Sequence, residues 1–204
     1  MGFSIAQYAA LRPILWHLTH NQNLELIRKI GLLMPATRLT SVSLDGPRRG
    51  RQITPGIPVL RDQELLNEQC IEFESGYTMA NLLSDLNKRV FFWSGWVNRP
   101  IKPGRDAMNR YSESDILIRL PFLEVAEDNT PYFSRCNSGA TRMQHGEPVP
   151  RGPKTFAKAM DCDFPPSKVV EVTFVGPVRL PPGGEVALRL EGTWDAIAQT
   201  VMRR

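Results

Sequence analysis

Four short runs rich in β-branched and aromatic residues, 14–19, 90–93, 114–120 and 169–175, limit what this chain can fold into. Each has the length of a strand and the composition of one with at least one buried face. In 169–175, Val170, Val172 and Phe174 alternate with Val169, Glu171, Thr173 and Val175, so Glu171 shares a face with apolar side chains. A carboxylate in that position sits either at a strand end in water or in a cleft. The helical signals do not alternate regularly with these strands. Residues 21–30 place Leu24, Ile27 and Ile30 at helical spacing and stop at Gly31, and 78–88 set Met79, Leu82, Leu83 and Leu86 on one face. No G-x-G-x-x-G follows a strand. The pattern predicts an α+β fold, not a doubly wound sheet.

Weaker elements complete the expected order. A short helix or extended arm is expected before Pro13, a helix over 63–70, a short strand over 186–190, and a helix carrying Trp194, Ile197 and Val201. The Gly- and Pro-flanked stretch 46–58 reads as a mobile loop bearing Arg48, Arg49 and Arg51, and 127–154 as a long irregular connection of the kind that usually carries function. At 204 residues, one domain over 1–204 is the expected organisation.

Composition excludes several classes. With 42% hydrophobic and 23% charged residues the chain is neither disordered nor fibrous. No apolar run approaches the roughly 20 residues that span a bilayer, and the first residues lack the charged-then-apolar pattern of an export signal. No membrane partner and a cytoplasmic location are therefore expected. Cys70, Cys136 and Cys162 form no C-x-x-C pair, which fits reduced thiols. Three histidines without an H-E-x-x-H arrangement predict no metal. The work then falls to carboxylates, arginines and backbone dipoles. A net charge of +4 favours an anionic partner, weakly.

The most informative stretch is Trp16-His17-Leu18-Thr19-His20-Asn21-Gln22-Asn23-Leu24, followed by Ile27 and Gly31. It resembles the first motif of the ADP-ribosyltransferase superfamily, above all the DarT-type DNA ADP-ribosyltransferases, which read H-x-T-H-x-x-N-L there; RNA 2′-phosphotransferases are similar more loosely. The blocks Leu86–Trp93, Asn137-Ser138-Gly139-Ala140-Thr141 and Pro150–Phe156 resemble those of an uncharacterised bacterial family of the same superfamily. The closing strand around Glu171 resembles the segment that supplies the single catalytic glutamate of DarT-type enzymes.

The resemblance implies a split, bent pair of small antiparallel sheets with flanking helices and a central cleft. It implies NAD as co-substrate, with His17, Thr19 and Asn23 near the nicotinamide end, Trp93 facing the ligand, and Arg61 or Arg51 on the pyrophosphate. Glu171 would stabilise the positive charge that develops on the ribose as nicotinamide leaves. Arg135, Arg142 and Arg151 would meet a polyanionic acceptor, nucleic acid ahead of protein and DNA ahead of RNA. The tyrosine-rich second motif of those enzymes reads Phe91-Phe92-Trp93-Ser94 here, which leaves the acceptor open. An NAD glycohydrolase and a non-enzymatic nucleotide- or nucleic-acid-binding module using Arg48, Arg49 and Arg51 are the alternatives.

Overall fold

The computed structural model describes residues 2–40, 44–51, 53–110, 114–140 and 149–197. In chain order these form α1 (Ile5–Leu11), β1 (Ile14–His20), α2 (Leu24–Ile30), β2 (Leu32–Leu33) and α3 (Ala36–Leu39). Next come α4 (Met79–Asn87), β3 (Arg89–Trp96), β4 (Arg99–Pro100), α5 (Lys102–Arg110), β5 (Asp115–Pro121) and α6 (Phe122–Asp128). The chain closes with β6 (Tyr132–Ser134), β7 (Glu171–Val175), β8 (Val178–Arg179), β9 (Glu185–Ala187) and β10 (Asp195–Ala196). The fold is α+β. An eight-stranded antiparallel sheet runs β10-β9-β5-β1-β3-β7-β6, with β4 on β3, and a two-stranded sheet pairs β2 with β8.

The large sheet is split along its middle. Strand β1 pairs with β5 over its whole length, Ile14 to His20, but with β3 only where Ile14, Leu15 and Trp16 face Gly95, Ser94 and Trp93. Below Trp93, β3 pairs with β7 alone, so the two halves of the sheet diverge. Packing fixes the joined end. Trp16 is fully buried and its indole N–H donates to the Trp96 carbonyl at 3.1 Å. A Cβ on Gly95 would lie 2.5 Å from that indole nitrogen, so only glycine lets the ring cross the strand there.

Below the sheet lies the main core, in which Leu15, Phe92, Ile118, Val172 and Phe174 from four strands meet Tyr8 of α1 and Phe122 of α6. The Tyr8 hydroxyl finds Ser94 Oγ at 2.8 Å, which satisfies its polar end in the interior. A second cluster puts the α4 face of Met79, Leu82, Leu83 and Leu86 against Leu66 and Phe156. Thr78 starts α4 with a capping box to Asn81, and Gly31, at φ 66°, ends α2 in the left-handed conformation that a non-glycine residue resists.

Several local expectations are corrected. Residues 63–70 hold a turn closed by Leu66 N–H on the Gln63 carbonyl and one 3₁₀ turn, Glu68–Cys70, in place of a helix, and Gln63 is tied to Arg48 through its N–H and its side chain. Trp194 and Ile197 flank β10 instead of lying on a helix, and Val201 is outside the described residues. The strand near 186–190 is Glu185–Ala187, and Leu188 is exposed. The connection 127–154 is not wholly irregular, since it contains the end of α6 and all of β6. The expected arm before Pro13 is α1, capped by Ser4 and Gln7.

Candidate active site

A cavity of about 180 Å³ opens in the split between β1 and β3. His17, Thr19, Asn23, Arg51, Arg61, Trp93 and Glu171 all line it. Residues more than 150 positions apart are thus brought to one site by the divergence of two strands.

His17 stands where the β1–β3 ladder ends. Its Nδ1 lies 2.8 Å from the Phe91 carbonyl, which accepts, so the proton is on Nδ1 and Nε2 remains an acceptor. Loss of water around the ring pushes the pKa down to about 4, against the raising effect of the Phe91 bond; Arg61 lowers it further and Asp115 opposes. The imidazole is therefore neutral throughout the physiological range.

Asn23 and Thr19 have a different task. The Asn23 carboxamide accepts from the Val59 N–H at 2.8 Å and donates to both the Val59 carbonyl and Thr19 Oγ1 at 2.9 Å. It clamps both backbone groups of Val59, two residues before Arg61. Asn23 caps nothing with its side chain at the start of α2.

Glu171 begins β7 opposite Trp93 and is 4% exposed. Its Oε2 accepts from the Ser138 backbone N–H at 2.9 Å and from Ser138 Oγ at 2.6 Å. Both bonds fall on one oxygen of a carboxylate that lines the cavity. Burial raises the carboxyl pKa, while the Ser138 bonds, Arg61 and Arg151 pull it back. Of the two settings the sequence allowed for this carboxylate, it occupies the cleft.

Arg61 lies over the Trp93 ring, 4.9 Å from its centroid, close enough to act on both His17 and Glu171. Trp93 is mid-strand, not at its end, and its indole nitrogen is buried with no hydrogen-bond partner among the described residues. Arg51 binds both oxygens of Asp115, with Nη2 at 2.8 Å, and approaches Asp62 at 3.7 Å. Two carboxylates already compensate its charge.

The basic loop is anchored rather than mobile. Arg48 donates from Nε to the Arg61 carbonyl at 3.0 Å and from Nη1 to Asn87 Oδ1 at 2.6 Å, and Gln22 holds the carbonyls of Thr54 and Ile57. Arg49 bonds the Glu64 carbonyl on the outside. Three neighbouring arginines thus face three different environments.

Of the arginines expected to meet a polyanion, Arg135 is exposed and Arg142 lies outside the described residues. Arg151 turns inward. It is 5% exposed and donates to the carbonyls of Val149, Asn137 and Ala140, so it braces the turn that presents Ser138 to Glu171. Three backbone acceptors take up a guanidinium that sequence alone left pointing to solvent.

Sequence reasoning did not single out Ser138 or Arg89. The Asn-Ser-Gly turn was the only local sign of the first, and the second was hidden in an apolar strand. Among the described residues no group of three or more His, Cys, Asp and Glu side chains could hold a metal ion, and no helix is long and apolar enough to cross a membrane.

Residues 13–180 match the model of a family described as "Family of unknown function (DUF7002)". The chain belongs to this family. The matched segment runs from the residue before β1 to just beyond β8 and so includes every cavity residue named above. No curated protein matches the DUF7002 chain. Among solved structures, Thermus sp. 2.9 DarT in complex with NAD+ is similar at 13% identity and a TM-score of 0.40, over 82% of this chain and 77% of that one.

Proposed function

We propose that this DUF7002 chain is an NAD-dependent ADP-ribosyltransferase that cleaves the nicotinamide–ribose bond and transfers ADP-ribose to a macromolecule, with nucleic acid as the acceptor class. The observation that carries the reading is the Glu171 carboxylate, fixed through Oε2 by Ser138 and lining a cavity that His17 also lines. The resemblance of the His17–Leu24 segment and of the Glu171 strand to DarT-type enzymes supports the same assignment.

The residues present fit the dinucleotide. A carboxylate suits a cationic glycoside, Arg61 suits a pyrophosphate, and Trp93 and Phe91 offer apolar surface for a ring. When bound, NAD supplies the ADP-ribosyl group: the C1′–nicotinamide nitrogen bond breaks, neutral nicotinamide leaves with the bonding pair, and the acceptor's nucleophile bonds to C1′. Glu171 stabilises the oxocarbenium charge at C1′ and accepts the proton that the nucleophile loses. Ser138 keeps that carboxylate from rotating. His17, neutral and accepting at Nε2, orients a donor group without adding positive charge beside C1′. Arg61 meets the pyrophosphate from its seat on Trp93.

Glu171 must be ionised to act, and its pKa is raised. Activity therefore climbs with pH through a limb that lies above the ordinary carboxylate range. The Ser138→Ala variant loses the Oγ bond but keeps the backbone one. A hydrogen bond to a charged group contributes about 1.5–3 kcal/mol, so the acid limb of kcat/KM is expected to move up by about one pH unit or more. A pH–rate profile with an unmoved limb would take Ser138 out of the mechanism.

The overall reading is tested by incubating the protein with NAD labelled in the adenosine half and separate pools of DNA, RNA and protein. Retention of label on a nucleic-acid pool is expected. Free ADP-ribose with no retained label would make the protein a hydrolase.

A further inference from the structure

The cavity contains a second cationic group that the proposed chemistry at Glu171 does not use. Arg89 opens β3 and lines the cavity, yet it is 9% exposed. Its guanidinium is sandwiched between Tyr132 of β6 and Phe156, 4.6 Å from each ring centroid. Its Nη1 reaches Thr173 Oγ1 at a long 3.4 Å, and its Nε is buried with no hydrogen-bond partner among the described residues. The nearest carboxylate in electrostatic reach, Asp85, is committed elsewhere: Oδ1 pairs with Lys88 and Oδ2 accepts from the Tyr77 hydroxyl at 2.6 Å. Tyr77 and Tyr132 also face Arg89 electrostatically. Burying a guanidinium without a counter-charge opposes folding. Arg51 in the same cavity shows the paired alternative, with two carboxylates against it.

The position of Arg89 separates it from the dinucleotide frame. His17 and Thr19 occupy the β1 wall, whereas the rings that clamp Arg89 belong to the β7–β6 side of the split. Arg89 is four residues from Trp93, the residue paired with Glu171, about 13 Å along an extended strand. That is close to the reach of one nucleotide from its phosphate to the far edge of its base.

We infer that Arg89 is the receptor for a phosphate of the acceptor, so that a nucleotide unit of a nucleic acid strand enters the cavity with its phosphate on Arg89 and its nucleophile beside Glu171. The inference rests on the transferase reading for the role of the acceptor. The aromatic clamp holds the guanidinium faces and leaves an edge to donate two parallel N–H bonds to phosphate oxygens.

The test uses the full chain and a fluorescein-labelled single-stranded ten-nucleotide DNA, with binding read by anisotropy in the absence of NAD. Arg89→Met is expected to weaken binding about tenfold and to lower the slope of log Kd against log salt by about 0.7, the share of one phosphate contact on a single strand. Arg99→Met, which removes an exposed arginine beyond the joined end of the sheet, serves as the control and is expected to leave the affinity unchanged. Methionine fits between the two rings, and the melting temperature of Arg89→Met is expected to be no lower than that of the wild type. A clear drop in melting temperature would make Arg89 a structural residue and overturn the proposal. Equal affinity and slope in wild type and Arg89→Met, or no binding by the wild type, would overturn it too. A rise in KM for NAD as large as the loss of oligonucleotide affinity would assign the phosphate to the dinucleotide and not to the acceptor. Anisotropy requires no turnover, so a protein that binds DNA through Arg89 but never cleaves NAD would refute the transferase and leave the phosphate site standing.

Discussion

Replacing Glu171 by Gln is expected to slow nicotinamide release about 10²- to 10³-fold, the scale of removing one preorganised electrostatic contact from a transition state, while NAD binding persists. Glutamine is nearly isosteric. Its carbonyl oxygen can accept both Ser138 bonds that Oε2 accepts now, so the side chain keeps its place and loses only its charge. The same substitution separates function from stability. A buried carboxyl whose pKa is raised in the folded state favours its protonated form there. Its contribution to stability is complete below the ordinary glutamate range and is lost as pH rises through the raised value. At neutral pH the ionised Glu171 therefore costs stability, and Glu171→Gln is expected to melt at or above the wild-type temperature at pH 7.5, with the difference shrinking toward pH 4. A variant that melts lower at neutral pH, or that releases nicotinamide at the wild-type rate, would mean that Glu171 is a packing residue. Activity and stability moving in opposite directions is the signature of a site held against its own folding preference.

The largest stability loss is expected at Asp115. Its side chain is fully buried at the start of β5 and holds the Arg51 guanidinium through both oxygens, while Arg51 is 13% exposed. Asp115→Ala strips that cation of a bidentate partner and leaves Asp62, 3.7 Å away, still beside it. Breaking a buried pair from one side costs about 3–5 kcal/mol, and the residual contact places this variant at the lower end. A loss of about 3 kcal/mol corresponds to roughly 6–12 °C in melting temperature for a chain of this size. Removing both charges is a different matter. The Arg51→Met, Asp115→Leu double variant is expected to recover most of the loss, because apolar side chains replace a desolvated pair without leaving an orphan. If the double variant melts as low as Asp115→Ala, the pair contributes through its geometry and the desolvation argument fails. Thermal unfolding of the three proteins decides between these outcomes.

The sequence made some of this site legible for a physical reason. His17, Thr19 and Asn23 came to notice through the resemblance carried by one contiguous segment, and Glu171 stands out as a carboxylate among alternating apolar residues, so both signals are local ones. The strand content and the α+β class followed from the same periodicity. What local pattern could not supply was pairing across distance. The Ser138 bonds to Glu171 span 33 positions, the Arg51 bond to Asp115 spans 64, and the Arg89 bond to Thr173 spans 84. Glycine and proline around Arg48 and Arg51 describe a loop well enough, but the carboxylate and amide that anchor it lie in β5 and α4. Arg151 was misjudged for the same reason, since its three acceptors are backbone carbonyls that no side-chain pattern reveals. The helix expected at 63–70 gives way to a turn closed by Leu66 N–H on the Gln63 carbonyl, while the Gln63 N–H and side chain are bound to Arg48, 15 positions away. Likewise the close approach of Trp16 to Gly95, which fixes the joined end of β1 and β3, has a meaning that depends on knowing that those two residues meet.

The most direct measurement follows the fate of the nicotinamide ring when wild-type protein is mixed with NAD and a nucleic-acid acceptor and the mixture is resolved by proton NMR. One free nicotinamide is expected for each NAD consumed, at a rate that rises with pH through the Glu171 limb and collapses in Glu171→Gln. Intact NAD after many equivalents of time, in the presence of a protein shown by calorimetry to bind it, would contradict cleavage at this cavity.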